Sequence, residues 1–169
     1  YNNIKAKQRL LSEYFNRTKS VISGRKISID SRLLAKDLKA KSDWMTRHIR
    51  KSEWLKQGFF NGYYDNDGRR VEGLKNGLLR MCLASQVFAI MSGVATDEQV
   101  GKIIQSVKKY LWDRKFKGYR LNTDFKKEQH NLGRAFSFVY GDKENGAFFN
   151  HMNVMFAYAL LKSGYTKEG

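Results

Sequence analysis

The sequence predicts a mainly helical segment, all-α apart from one short β-hairpin, with long loops joining its helices. Three observations predict it. The 169 residues contain no proline, where average usage of about 5% would give roughly eight. Apolar residues recur at helical spacing in five separate stretches. Between them lie irregular glycine- and aromatic-bearing segments rather than evenly spaced short strands, the arrangement of an αα-hairpin array or of part of an α/α toroid. No strict internal repeat is present.

The first helix carries Ile4, Leu10, Leu11, Phe15 and Ile22, with Gly24 as its stop. The second opens at Asp30 or Ser31 as cap and carries Leu33, Leu34, Leu38, Met45, Ile49 and the Trp54-Leu55 pair. Lys36, Lys39, Lys41, Arg47, Arg50 and Lys51 populate its solvent faces. Phe59 to Val71 reads as a hairpin with Asp67-Gly68 at its tip, where a tight turn needs positive φ. Leu78 to Met91 reads as a strongly apolar helix ended by Gly93. Thr96-Asp97-Glu98-Gln99 is a capping box, opening a helix that carries Val100, Ile103, Ile104, Val107 and Leu111. Residues 113–146 form a long polar stretch of the kind that is uncommon in a compact domain unless it is functional. The last helix runs from about Phe148 to Ser163, with Gly164 behind it.

At 19.7 kDa the chain is one domain or a piece of a larger one, and 41% hydrophobic residues exclude a disordered chain. Its start, Tyr1 to Arg9, has neither an initiating Met nor the apolar centre of a signal peptide, which reads as a segment of a longer protein. Residues 1–57 hold 15 basic and 5 acidic side chains, and residues 58–169 hold 17 and 11, so a basic helical region precedes a more mixed one. The net charge of +16 favours an anionic partner. There is no zinc-finger spacing, ribonucleoprotein aromatic motif or glycine-rich phosphate loop, so specific nucleic-acid binding is not expected. No apolar run reaches bilayer length, so no membrane partner is expected. Cys82 stands alone, which excludes an internal disulfide and reads as a reducing, cytoplasmic setting. His48 and His130 have no ligand-spaced partners, so neither a metal nor another cofactor is expected.

The densest chemistry lies in Tyr140-Gly-Asp-Lys-Glu-Asn-Gly-Ala-Phe-Phe-Asn-His151. Lys143, Glu144, Asn145, Asn150 and His151 supply donors and acceptors at a loop entering a helix, a place where open N–H groups favour an anion. An ordinary polar turn with a locally bonded histidine uses the same residues. Gly118-Tyr119-Arg120-Leu121-Asn122-Thr123-Asp124-Phe125 interleaves polar groups with aromatics as a sugar site does, and as an irregular surface loop also does. Asp65 and Asp67 read as turn acids, Asp43-Trp44 as a surface acid beside a core Trp, and Cys82 as a small buried side chain within an apolar helix.

These two stretches, with the hairpin Tyr63-Tyr-Asp-Asn-Asp-Gly68 and Ser85-Gln-Val-Phe-Ala-Ile-Met-Ser-Gly-Val-Ala95, resemble the catalytic domain of the cellobiose phosphorylase-like inverting phosphorylases. These form glycoside hydrolase family ninety-four, formerly grouped as glycosyltransferase family thirty-six. The resemblance covers about residues 54–169 and implies the later part of an (α/α)6 catalytic barrel. It also implies a reaction: reversible, inverting cleavage of a β-linked gluco-oligosaccharide by inorganic phosphate as co-substrate, giving α-glucose 1-phosphate. By position, His151 is similar to the family's phosphate-binding histidine, and Lys143 and Glu144 to residues lining the sugar subsites. Gln86 and Arg120 sit in matching motifs near the barrel mouth. Leu83-Ala84-Ser85 and Leu121-Asn122-Thr123-Asp124 replace segments in which many members carry prolines, and are closer to the β-1,2-oligoglucan branch. The family's general acid, an Asp in a loop before the hairpin, has no match here and is expected upstream of Tyr1. The resemblance also implies an apolar patch meant for the rest of the parent chain, and with it self-association such as a homodimer. Another α/α-toroid glycoside hydrolase and a basic nucleic-acid-binding module are the alternative functions.

Overall fold

Asn3 and Asp30 start the first two helices. Asn3 Oδ1 accepts from the Ala6 N–H at 3.0 Å and opens α1, Ile4–Thr18. Asp30 Oδ1 accepts from Arg32 and Leu33 N–H and opens α2, Ser31–Ser52, as its position predicts. α1 ends at Thr18, before the expected stop at Gly24, and Ile22 lies outside the described residues. The computed structural model describes residues 3–20, 24 and 26–169.

Two compact units result, Tyr1–Ala40 and Lys41–Gly169. Their boundary falls inside α2, whereas the charge distribution changes near residue 57. Charge marks what a helix shows to solvent, but compactness begins where side chains of distant sequence meet. In the first unit Leu10, Leu11, Phe15, Leu33 and Leu38 are all exposed. In the second, Ile49, Trp54 and Leu55 pack on the core. Trp44, expected in a core, is instead partly exposed and stacks on His48 with ring centroids 4.8 Å apart. Among the described residues no helix is long and apolar enough to cross a membrane.

The second unit is built on α3 (Leu83–Met91), α4 (Asp97–Tyr110) and α5 (Asn150–Lys162). α3 packs against both of the others, and Leu83, Val87, Ile103, Val107, Phe156 and Leu160 bury their side chains between them. α4 begins with the expected capping box, Thr96 Oγ1 accepting from Gln99 N–H and Gln99 Oε1 from Thr96 N–H. Two antiparallel pairs complete the unit: β1 (Gly73–Lys75) with β2 (Leu78–Arg80), and β3 (Trp112–Asp113) with β4 (Gly118–Tyr119). A smaller apolar cluster of Val71, Phe125, Leu132 and Phe136 lies under the long loop, with Phe125 stacked on Phe136 at 5.0 Å.

Three expected elements differ. The expected helix Leu78–Met91 begins only at Leu83, because Leu78–Arg80 pairs as β2 across an Asn76-Gly77 turn. Met81 to Leu83 then runs extended beside Leu121 to Thr123, bonded through Leu83 N–H to Leu121 O and Thr123 N–H to Met81 O. Cys82 therefore caps α3 from an extended backbone rather than lying within a helix, and it is only half-buried. The Phe59–Val71 hairpin forms over a shorter span: Tyr64 and Arg70 bridge, Val71 N–H donates to Tyr63 O, Asp65 N–H to Arg69 O, and Asp65 Oδ1 accepts from Asp67 and Arg69 N–H at the turn. Residues 113–146 are not wholly irregular: they include β4 and short 3-10 turns at His130–Leu132 and Arg134–Ser137.

Candidate functional site

Extended segments, α3, Ile49 of α2 and the 3-10 turn Arg134–Ser137 line an open pocket of about 450 Å³ in the second unit. One wall is Phe60 to Tyr63, another is the face of α3 bearing Ala84, Ser85, Phe88, Ala89 and Ser92, and Leu121-Asn122 and Ala135-Phe136 close the far side. The lining is mostly apolar, with a few convergent polar groups, the usual make-up of a small-ligand site. Glu144 stands at the rim.

Glu144 is carried on a tight turn whose geometry the surrounding side chains impose. Asp142 and Asn145 form an isolated bridge, and Lys143 takes a φ of 45°. Gly146 follows at φ 71°, and a Cβ there would come 2.1 Å from the Tyr140 ring, so only glycine fits. Asn122 Oδ1 accepts from the Gly146 N–H at 2.8 Å, while Asn122 Nδ2 donates to Asn145 Oδ1 at 2.9 Å. Leu121 N–H donates to Ala147 O, which ties the turn to the strand-like Leu121–Thr123 segment. The outcome is a carboxylate with unequal oxygens. Oε1 lies 3.4 Å from the exposed Arg134 guanidinium, whereas Oε2 is buried with no hydrogen-bond partner. A buried carboxylate oxygen without a donor is costly.

The other residues singled out from sequence are distributed around this centre. Arg120 holds the turn from behind: Nη1 donates to Gly146 O at 2.8 Å, Nε and Nη2 reach Asp113 Oδ2 at 2.9 and 2.8 Å, and the guanidinium lies over the Phe148 and Tyr140 rings. The Phe116 N–H, and then Arg120, hold the Asp113 carboxyl below its usual range. Gln86 is fully buried. Its Oε1 accepts from Phe60 N–H at 2.9 Å and its Nε2 donates to Phe60 O at 2.9 Å, bracing a pocket wall. Lys143 is exposed, its ammonium 4.6 Å from the Phe138 ring. His151 is exposed on the first turn of α5, its ring 5.4 Å from that of Phe149. No side chain caps α5, and of its first-turn N–H groups Met152 already donates to Phe149 O. Thus the fold brings Glu144 and the Gln86-braced Phe60 to one pocket, with Arg120 behind the turn, and Lys143 and His151 lie outside the lining. Among the described residues no three His, Cys, Asp or Glu side chains converge on a metal-sized site.

Sequence reading passes over Glu72, a carboxylate 1% exposed directly behind the pocket wall. It accepts from Gly62 N–H at 2.5 Å, Cys82 N–H at 2.7 Å and Ser85 Oγ at 2.8 Å. Burial pushes its carboxyl up to about 7, against the lowering effect of those donors. Val71 and Gly73 on either side are buried with it, which the linear sequence does not signal.

The profile of the glycosyl hydrolase 94 superfamily catalytic domain matches residues 26–167. The chain is also similar to cellobionic acid phosphorylase of Neurospora crassa, at 26% identity over 121 residues. That match covers 72% of this chain and 14% of the relative, so the chain spans only a small part of the protein it resembles.

Proposed function

The chain belongs to the glycosyl hydrolase 94 superfamily, and from that premise we propose that it is a segment of an inverting glycoside phosphorylase acting on a β-linked gluco-oligosaccharide. The observation that carries the reading is the unpartnered, buried Oε2 of Glu144 at the rim of a ligand-sized, mostly apolar pocket. A sugar ring supplies what that site lacks, hydroxyl donors for the carboxylate and C–H faces for Phe60, Phe88 and Phe136. The relative's name, cellobionic acid phosphorylase, supports phosphate as the second substrate.

In this reading Glu144 bonds a sugar hydroxyl. Arg120 and Gln86 keep the turn and the Phe60 wall in place, and Lys143 and His151 meet the phosphate or the sugar's outer rim. The uncapped N-terminus of α5 adds backbone donors for the anion. In the reaction a carboxylic acid protonates the glycosidic oxygen as that bond breaks. A phosphate oxygen forms the new bond to the anomeric carbon from the opposite face. The products are α-glucose 1-phosphate and a shortened glycan. None of the residues given roles above is assigned as that acid.

The test uses the longest natural chain containing this segment. Phosphate release from α-glucose 1-phosphate is followed with glucose, cellobiose and sophorose as acceptors, for wild type and His151→Ala. Acceptor-dependent release that collapses in the variant supports the reading, and the best acceptor identifies the linkage. Hydrolysis indifferent to phosphate would instead indicate a toroid glycosidase. Release unaffected by His151→Ala would remove that residue from the phosphate site.

A further inference from the structure

The pocket wall contains a carboxylate–hydroxyl pair, Glu72 and Ser85, that the roles above leave unused. Glu72 Oε2 accepts from Gly62 N–H and Ser85 Oγ, and Oε1 accepts from Cys82 N–H, while the carboxyl helps push the Cys82 thiol up. The two backbone groups are obligate donors, so of these three oxygen and nitrogen partners only the serine hydroxyl can reverse its bond. Ser85 itself lines the pocket. Its oxygen is held close against Gly62, where any Cβ would come 2.5 Å from Ser85 Oγ, so the proton can rotate while the oxygen stays in place.

We propose that the Glu72–Ser85 pair sets the hydrogen-bonding polarity of the pocket wall. With Glu72 ionised, Ser85 turns its proton inward and accepts from a ligand hydroxyl. With Glu72 protonated, the carboxyl O–H donates to Ser85 Oγ and the serine donates into the pocket. One proton from solvent is all that is exchanged. Ser85 is thereby a specificity-determining residue and Glu72 its positioning residue, an inference that rests on the pocket being the sugar site proposed above.

The carboxyl's upward shift to about 7 brings both states within reach near neutrality. Among the described residues no cation forms an ion pair with Glu72. The titratable groups around it are the Cys82 thiol, raised by burial and by Glu72, and Glu53, linked through the Asn61 amide. Tyr63 and Glu144 line the same pocket.

In the full-length protein, binding of cellobiose and sophorose is measured by calorimetry from about pH 5.5 to 8.5 in wild type, Glu72→Gln and Ser85→Ala. Alkylation of Cys82 by iodoacetamide, read by mass spectrometry, is followed over the same range. The expected result is a wild-type affinity that changes about three- to tenfold across one ionisation and is independent of pH in both variants. Cys82 alkylation should show a break that Glu72→Gln removes. Wild-type affinity flat with pH, or full pH dependence retained in Ser85→Ala, overturns the proposal even if Glu72→Gln fails to fold. No sugar binding with the Cys82 break intact overturns the sugar reading and supports Glu72 as the ionising group. Absence of the break overturns the pair itself.

Discussion

The side-chain amide of Asn122 donates to the side-chain oxygen of Asn145 at 2.9 Å, with the two residues only 2% and 4% exposed. Asn145 passes the chain on, its Nδ2 donating to Phe138 O at 2.7 Å, while Asn122 Oδ1 receives the Gly146 N–H. These bonds fix the amide orientations of both residues and hold the turn that carries Glu144. Asn122→Asp would point a carboxylate at Asn145 Oδ1 and remove a donor. The expected cost is about 2–3 kcal/mol, measured by denaturant unfolding, together with weaker sugar binding.

Gly146 makes a second demand on the same turn. Its positive φ, and a Tyr140 ring only 2.1 Å from where a Cβ would stand, leave no room for a methyl group. Gly146→Ala should destabilise by about 2 kcal/mol or more. Adding Tyr140→Ala should recover the steric part and leave the backbone part, a separation that the double variant measures in the same unfolding experiment.

Glu72 gives the segment a pH-dependent stability with a defined sign. Its folded carboxyl titrates at about 7 and its unfolded one near the ordinary 4.5, so between those values the native state binds the extra proton. Stability from this group is greatest below the lower value and falls as pH rises through the window, by about 3 kcal/mol at most. Hydrogen-exchange protection of the Gly62 and Cys82 amides, corrected for intrinsic rates, should therefore fall with rising pH in wild type and lose that slope in Glu72→Gln.

Arg120 joins four groups that a lysine cannot join at once. Its fork contacts Asp113 and Gly146 O together, and its plane covers two aromatic rings. Arg120→Lys keeps the charge and loses the fork, so sugar affinity should drop about tenfold. An unchanged affinity in calorimetry would detach Arg120 from the positioning of Glu144.

Local signals were legible where a single residue's chemistry decided the structure. Asp30 caps α2, the Thr96–Gln99 box opens α4, and Gly164 follows α5 with positive φ. The Lys143-Glu144-Asn145-Gly146 element was also legible as a tight turn, because Asn-Gly admits positive φ, and Gly146 takes a φ of 71°. Misreadings arose where pattern and pairing competed. Leu78-Leu79-Arg80 continues an apolar helical stripe, yet the Asn76-Gly77 turn before it directs the segment into β2. Asn-Gly flanked by apolar residues is a hairpin signal in its own right.

The roles of Gln86 and Glu72 were beyond any linear reading. Gln86 belongs to a helix whose face cannot be assigned until Phe60 arrives against it from 26 residues away. Glu72 becomes a buried acid only when Gly62 and the start of α3 close over it.

By itself the sequence determined where most of the helices lie, where its basic surface lies and which turn concentrates the polar groups, since these follow from local propensity, capping and charge. Tertiary structure alone decided that Glu144 keeps one oxygen without a partner, that Arg120 and Gln86 act as braces, and that Glu72 reaches Ser85. Those properties depend on burial and on distances between residues far apart in the chain, and desolvation has no counterpart in a linear pattern.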